Sequence, residues 1–437
     1  MTSFQSLQSR LHELILSDRL YVDKTHEFSD FIRHLEGSQQ EDPAPVSLVI
    51  RPRGYTLSVA TEIIEALLER DELMMDMLER HEIHEELPEH PVIRISFKKV
   101  QSRSAQEFSD ALIDLIQEQL WEHHVVAKIT TYDDPKSYFL SLIRSIAQRR
   151  KGKVAVIIDN YDIPFFIART LKPEEQDRAV AIYLDTLNAI RQAGDDVAWC
   201  LLTGHVKFAL ASEMSEGLPL VKDLSFSPIC DTLFGFTREE LSRNFAKAID
   251  RYAPRHGITN DEFTAALEKC YGGHVFSDRM HKMFCPGSIN SVFANEGNLF
   301  SYIADEDFRF LTTVLREGHP ELDWLIGKAG QDALFAREVT IRPRNEDDFG
   351  ALLVQLGFLT IEKVTRSDNE QYSTWHYSYK VPNVEYLRTL KIILGVAAPG
   401  LAKIPINPTV CATGEHDFDL KIPNDIYSKL LDEHCVF

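Results

Sequence analysis

The segment Arg51-Pro-Arg-Gly-Tyr-Thr-Leu-Ser58 places two cations just ahead of a hydroxyl that opens an amphipathic stretch. Before it runs the apolar segment Val46-Ser-Leu-Val-Ile50, and after it Ile63, Ile64, Leu67 and Leu68 recur at helical spacing. Strand, tight basic turn and helix is the context in which backbone N–H groups at a helix N-terminus hold nucleotide phosphates. Ser58 stands where such a loop keeps its magnesium-binding hydroxyl. Leu57 stands where the loop needs Lys, and Thr56 where its second glycine belongs. The frame is present and its phosphate chemistry is missing.

A second set of polar residues ends two further apolar runs. Val154-Ala-Val-Ile-Ile158 leads into Asp159-Asn-Tyr-Asp162, and Val197-Ala-Trp-Cys-Leu-Leu202 ends in Thr203-Gly204, with Lys207 just beyond. Arg51 and Arg53 suit an anion, or else they pair with carboxylates such as Asp159 or Asp162 and lock the site shut. Asp159 could take magnesium through Ser58 and water, or serve as a strand-end carboxylate. Asn160 can hold a water but cannot take its proton. Thr203 and Lys207 suit sensors of a bound phosphate, or a helix cap and a surface lysine.

Other chemistry-bearing residues fit a site less well. His81 and His84 have only two residues between them, whereas the zinc-protease spacing is His-Glu-x-x-His, and no third ligand is evident, so an acidic solvated helix end is expected. His123 and His124 are adjacent and so diverge on a helix or a strand. No Ser-His-Asp or Cys-His arrangement stands out. The expected site has no catalytic residue and no metal ligands.

The elements that would position these residues follow from periodicity. The chain begins with Leu7, Leu11, Leu14 and Ile15 on one helical face, and a polar linker from Gly37 to Pro45 enters the first strand. Val92–Phe97 reads as another strand, Ser104-Ala-Gln-Glu107 as a capping box, and Asp134-Pro135 as a helix start. Continuous apolar strands alternating with helices imply an α/β fold with a parallel sheet buried on both faces. Ligands of such sheets bind at the carboxyl ends of the strands. The 51–58 loop, the 159–162 turn and Thr203-Gly204 are therefore expected to meet at one edge. Beyond Phe236 the pattern turns helical, as a lid would. Asp348–Leu356 reads as a helix followed by the strands Phe358–Val364 and Trp375–Val381, which resembles a winged-helix module.

The 437 residues allow two or three domains with proper cores. A net charge of −20 argues against nucleic acid as the main partner; Gln148-Arg-Arg-Lys-Gly-Lys153 is the clearest basic cluster and reads as a solvated helix end. No apolar run reaches membrane-spanning length and no signal pattern opens the chain, so a cytoplasmic protein is expected. Six scattered cysteines without a C-x-x-C pair suit reduced thiols.

Several of these segments, in order, resemble a bacterial AAA-ATPase-like family. Tyr21-Val-Asp-Lys-Thr25 is similar to its N-terminal signature. Arg51-Pro-Arg53 with Ser58 resembles a remnant of its Arg-Pro-Arg-Arg-Phe-Gly-Lys-Ser P-loop, and Val156–Pro164 its Walker B segment, which normally reads Asp-Glu-Tyr-Asp. Leu202-Thr-Gly204 with Lys207-Phe208 resembles its sensor segment, and Leu233–Leu241 the turn that follows. Tyr271-Gly-Gly273, Asn345–Phe349 and Leu356–Thr360 match further downstream.

The resemblance implies a P-loop AAA-like sheet, a helical lid and, in the usual family member, a PD-(D/E)XK nuclease-like domain, for which too few residues follow the last marker. Asp417, Asp419 and Lys421 are expected to be a solvated strand rather than a nuclease remnant. The expected segments are 1–40, a helical lead-in; 41–236, the AAA-like core; 237–330, the lid; and 331–437, the winged-helix-like part. Leu57 for the P-loop Lys and Asn160 for the Walker B Glu remove the charge and the base that hydrolysis requires. The expected function is a pseudo-ATPase used as a protein-interaction scaffold, without cofactor. The alternative is a switch that binds ATP and Mg²⁺ without turnover. The acidic surface favours a basic or mixed protein partner. An effector or toxin-system role, with delivery to a host cytosol, follows only by analogy.

Overall fold

The computed structural model describes residues 22–37, 45–80, 87–126, 134–210, 217–218, 220–299, 305–317, 333–339, 346–368 and 373–397. The N-terminal leucine face, Tyr21, most of the polar linker, His81 and His84, Asn345, and Asp417, Asp419 and Lys421 lie outside the described residues. Contacts gather the chain into two units. The first takes the described parts of Met1–Arg51, Leu57–Leu233 and Glu338–Arg342, and the second those of Pro52–Thr56, Phe234–Arg337 and Pro343–Phe437.

In the first unit, α1 (Thr25–Gly37) precedes β1 (Val46–Ile50), α2 (Leu57–Leu68), α3 (Glu72–Arg80) and β2 (Val92–Ser96). Then come α4 (Ala105–Glu122), α5 (Pro135–Arg150), β3 (Val154–Asp159), α6 (Ile163–Thr170), α7 (Pro173–Ala193), β4 (Val197–Gly204) and the short β5 (Lys222–Asp223). The sheet order is β2-β3-β4-β1-β5 and every pairing is parallel. Every residue of β1, β3 and β4 is buried, the continuous apolar pattern of a sheet covered on both faces.

Helix starts follow the sequence cues with one difference. Asp134 caps α5 through the Lys136 and Ser137 N–H groups, with Pro135 at the first position. Ser104 accepts from Glu107 N at 3.2 Å, but Glu107 reaches back to Arg103 N at 2.8 Å rather than to Ser104 N, so the expected box closes one residue early. Ala105 N donates instead to Glu175 at 2.8 Å, which fastens α4 to α7. The Asp23–Lys24–Thr25 signature is structural: Asp23 accepts from Thr25 N and Oγ1 at 3.0 and 2.7 Å, and buried Lys24 donates to Thr232 O.

The β2 edge of the sheet is covered by side chains. Arg94 N donates to Gln119 Oε1 at 3.1 Å, and His123 Nε2 meets Val92 O at 2.9 Å.

The second unit contains α8 (Arg238–Asn244), α9 (Ala246–Tyr252), α10 (Asn260–Tyr271), β6 (His274–Val275), β7 (Lys282–Met283) and α11 (Pro286–Ala294). It continues with α12 (Asp305–Glu317), α13 (Glu346–Gln355), β8 (Thr360–Asp368), β9 (Ser373–Lys380) and α14 (Val384–Ala397). Capping boxes at Thr237/Glu240 and Thr259/Glu262 start α8 and α10. β8 and β9 pair antiparallel, so the helix-then-hairpin order read from the sequence is present.

Candidate functional site

Parallel register brings the strand ends together. Ile50 lies opposite Gly204, and Asp159 lies between Ser96 and Thr203. Arg51 N donates to Gly204 O at 3.0 Å and Tyr161 N to Thr203 O at 2.9 Å. Arg51, Ser58, Asp159, Asn160, Asp162, Thr203 and Lys207 all stand in the first unit, most of them around this carboxyl edge.

The polar groups there bond to one another and to the main chain. Asp159 is buried and accepts from Thr203 Oγ1 at 3.0 Å and Ser96 Oγ at 3.3 Å. Asn160 adopts a left-handed φ of 56°, which asparagine tolerates, and its Nδ2 donates to Ser58 Oγ at 3.5 Å. Ser58 and Asn160 thus touch directly.

Asp162 has no exposed surface. Its Oδ2 accepts from His205 N at 2.7 Å and Val206 N at 2.9 Å. A Cβ on Gly204 would come within 2.7 Å of Asp162 Oδ1, so glycine is required where this carboxylate passes the strand end. Tyr161 completes the latch: its hydroxyl donates to Val206 O at 2.8 Å and accepts from Phe208 N at 3.1 Å. Complete burial, with Asp162 nearby, holds its phenol well above the ordinary tyrosine range, so it stays protonated.

The Arg51 guanidinium turns to the main chain. Only 1% exposed, it donates from Nη1 to Ile50 O at 2.8 Å and Ser225 O at 2.5 Å, and from Nη2 to Cys230 O at 2.7 Å. It clamps the 225–230 segment onto the end of β1. Leu57, at the lysine position, is 4% exposed and packs into the first unit. Thr203 belongs to β4 rather than to a helix cap. Lys207 forms an ion pair with Asp223 at 3.0 Å and is largely buried, unlike a solvated surface lysine.

The loop residues 52–56, Arg53 among them, belong to the second unit. Tyr55 is fully buried with edge-on ring contacts to His274 at 5.4 Å and Phe276 at 5.0 Å, and it clusters with Met283 and Cys285. Gly287 N donates to Gly54 O at 2.9 Å, and Cys285 Sγ meets Arg53 O at 3.8 Å. Gly54 has a φ of +87°, and an added Cβ would come within 2.7 Å of Cys285 Sγ. Thr56, at the glycine position, keeps the left-handed φ of 59° that such a loop needs, at the strain a β-branched residue suffers there.

Burial pushes the Cys285 thiol up to about 11 and the His274 imidazole down to about 4, so both stay neutral near pH 7. The sequence reading did not find this seat. Its signals were Tyr271-Gly-Gly273, noted only as a family marker, and Cys285-Pro-Gly287.

Among the described residues no group of His, Cys, Asp and Glu is arranged to hold a metal ion, and no helix is long and apolar enough to cross a membrane.

Comparison with known proteins bears on residues 8–213, which match the family model described as "Predicted AAA-ATPase". A protein of Azotobacter chroococcum mcd 1, described as an uncharacterized protein in the vnfD 5' region, is 26% identical over 412 residues, covering 93% of this chain and 72% of that protein. Among solved structures, the Aeropyrum pernix ORC1 protein in complex with DNA aligns over 90% of this chain and 97% of its own, at 11% identity and a TM-score of 0.32. The Aeropyrum pernix ORC2 protein in its ADP form aligns over 88% and 97%, at 9% identity and a TM-score of 0.34.

Proposed function

We propose that this chain, AAA-ATPase-like over residues 8–213, is a pseudo-ATPase that serves as a protein-interaction scaffold in the cytoplasm. The observation that carries the reading is Arg51. One of the two loop cations that could replace the missing lysine charge, it donates instead to three main-chain carbonyls. Phosphoryl transfer is catalysed by positioned charge on the transferring phosphate. With Leu57 buried, Arg51 committed and Asn160 in the place of the base, the residues present do not fit ATP and Mg²⁺ as a substrate pair. Asp159 likewise accepts from two hydroxyls, one at each oxygen.

The alternative, a switch that binds nucleotide without turning it over, is favoured by one observation: Thr56 retains the left-handed backbone of a phosphate loop. Calorimetric titration of the full chain with ATP and Mg²⁺ separates the two. The scaffold reading expects no heat up to millimolar nucleotide and no thermal shift. A dissociation constant in the micromolar range, about −8 kcal/mol, overturns it in favour of the switch. Binding that disappears in Arg53→Ala would identify the side chain that replaces the lysine.

A further inference from the structure

The amino end of the same sheet carries an apolar patch beside a basic tract. Trp121, in the last turn of α4, is 80% exposed, and Val126 just beyond that helix is 86% exposed. Isolated exposed apolar residues are ordinary; a tryptophan and a valine together on a helix end are less so. The backbone fixes their placement. His124 N donates to Trp121 O at 3.1 Å and Val125 N to Leu120 O at 3.0 Å, so the chain turns off the helix in a hydrogen-bonded cap.

The Arg149 guanidinium donates to His124 O, which ties the end of α5 to this cap. Exposed Arg149 thereby stands at the cap that carries Trp121 and Val126, with exposed Arg150 and Lys151 following it in the chain.

We infer that this surface docks a short acidic segment of a partner protein that carries an apolar anchor for Trp121. The argument is charge complementarity on a small scale. The whole chain has a net charge of −20, so an extended acidic body is repelled, while beyond roughly 8–10 Å that repulsion is screened at physiological salt. A short segment feels mainly the local cations. Exposed Glu118 and half-buried Glu122 flank Trp121 on α4, so the carboxylates of the segment must meet the cations of the 149–151 tract while its apolar anchor meets Trp121. Aromatic side chains beside arginines are the groups that most often anchor protein interfaces. The inference takes from the scaffold reading only that a protein is the ligand, and it holds whether or not nucleotide binds at the opposite edge.

The test is fluorescence anisotropy of labelled synthetic peptides against the full chain. The probe is a peptide of alternating glutamates and leucines. The controls are the same peptide with serines for leucines, its lysine counterpart, and a single-stranded oligonucleotide. Expected is micromolar binding of the glutamate–leucine peptide, at least tenfold weaker binding of the serine version, and none of the lysine version. Trp121→Ser and Lys151→Glu, both at exposed positions, should each weaken the probe at least tenfold with an unchanged circular dichroism spectrum.

Absence of binding overturns the inference, as does equal binding by either variant or by the serine peptide. An oligonucleotide that binds more tightly and depends on Trp121 replaces it with a nucleic-acid surface. None of these results bears on the nucleotide titration, so the inference and the pseudo-ATPase reading can fail separately.

Discussion

The carboxyl edge of the sheet and the loop that follows β1 are stabilised by opposite means. At the edge the anchoring is polar: Asp159 bonds Thr203 and Ser96, Asp162 bonds two main-chain N–H groups through Oδ2, and Arg51 bonds three carbonyls. In the loop the anchoring is apolar, through the ring of Tyr55 among His274, Phe276, Met283 and Cys285. Buried polar groups are held in place by the penalty of leaving a partner unsatisfied. An aromatic plug is held by burial and shape, and any substitution that leaves a hole is felt. Two neighbouring stretches of one sequence are therefore held by different physical means.

The sharpest way to break this comparison is Tyr55→Ala. Removing a fully buried ring should lower stability by about 3–5 kcal/mol, read as a shift in the denaturant midpoint, whereas Tyr55→Phe should change it little. Asp162→Ala should come next, at about 2–4 kcal/mol, because it strands the His205 and Val206 N–H groups. An equal loss on Asp162→Asn would mean that the charge, rather than the accepting oxygen, holds the latch.

The pH dependence of stability distinguishes the two units by sign. His274 has a folded pKa of about 4 against 6.5 for the free side chain, so the unfolded chain takes up the proton first as pH falls. Its stabilisation is complete above pH 6.5 and is lost as pH falls from 6.5 to 4, at most about 3 kcal/mol.

Glu69, in the first unit, behaves in the opposite sense. Burial and the neighbouring Glu65 raise its pKa from 4.5 to about 7. The unfolded chain ionises first as pH rises, so stability falls between pH 4.5 and 7, by about 2 kcal/mol. Unfolding midpoints of His274→Gln and Glu69→Gln across pH 4–8 should flatten the acid and the neutral limb respectively. The smallest expected effect is Thr56→Gly, a gain of about 1 kcal/mol as left-handed strain is relieved against glycine's greater unfolded entropy.

Much of the first unit was legible because its signals are local. Five and six consecutive apolar residues announced β3 and β4, β1 is apolar but for Ser47, and parallel order alone placed Asp159, Thr203 and the end of β1 together. The partners of Arg51 were not legible, since Ser225 and Cys230 are 174 and 179 positions away and present only main-chain carbonyls, which no residue type advertises. The seat of Tyr55 was missed for a related reason. Phe276, Met283 and Cys285 surround it from a remote segment, and an aromatic in a loop looks the same in sequence whether it is solvated or buried. The second unit is also less regular: β6 and β7 are two residues each, too short for any periodicity to register.

One side chain described with the fold bears on assembly. A parallel sheet that ends in an open strand is a template on which a neighbouring molecule can continue the ladder, and filaments and aggregates grow that way. Gln119 occupies the Arg94 amide and His123 the Val92 carbonyl, so a donor and an acceptor of the β2 border are already engaged by α4 and the residue that caps it. A strand added there by another copy would have to displace both side chains.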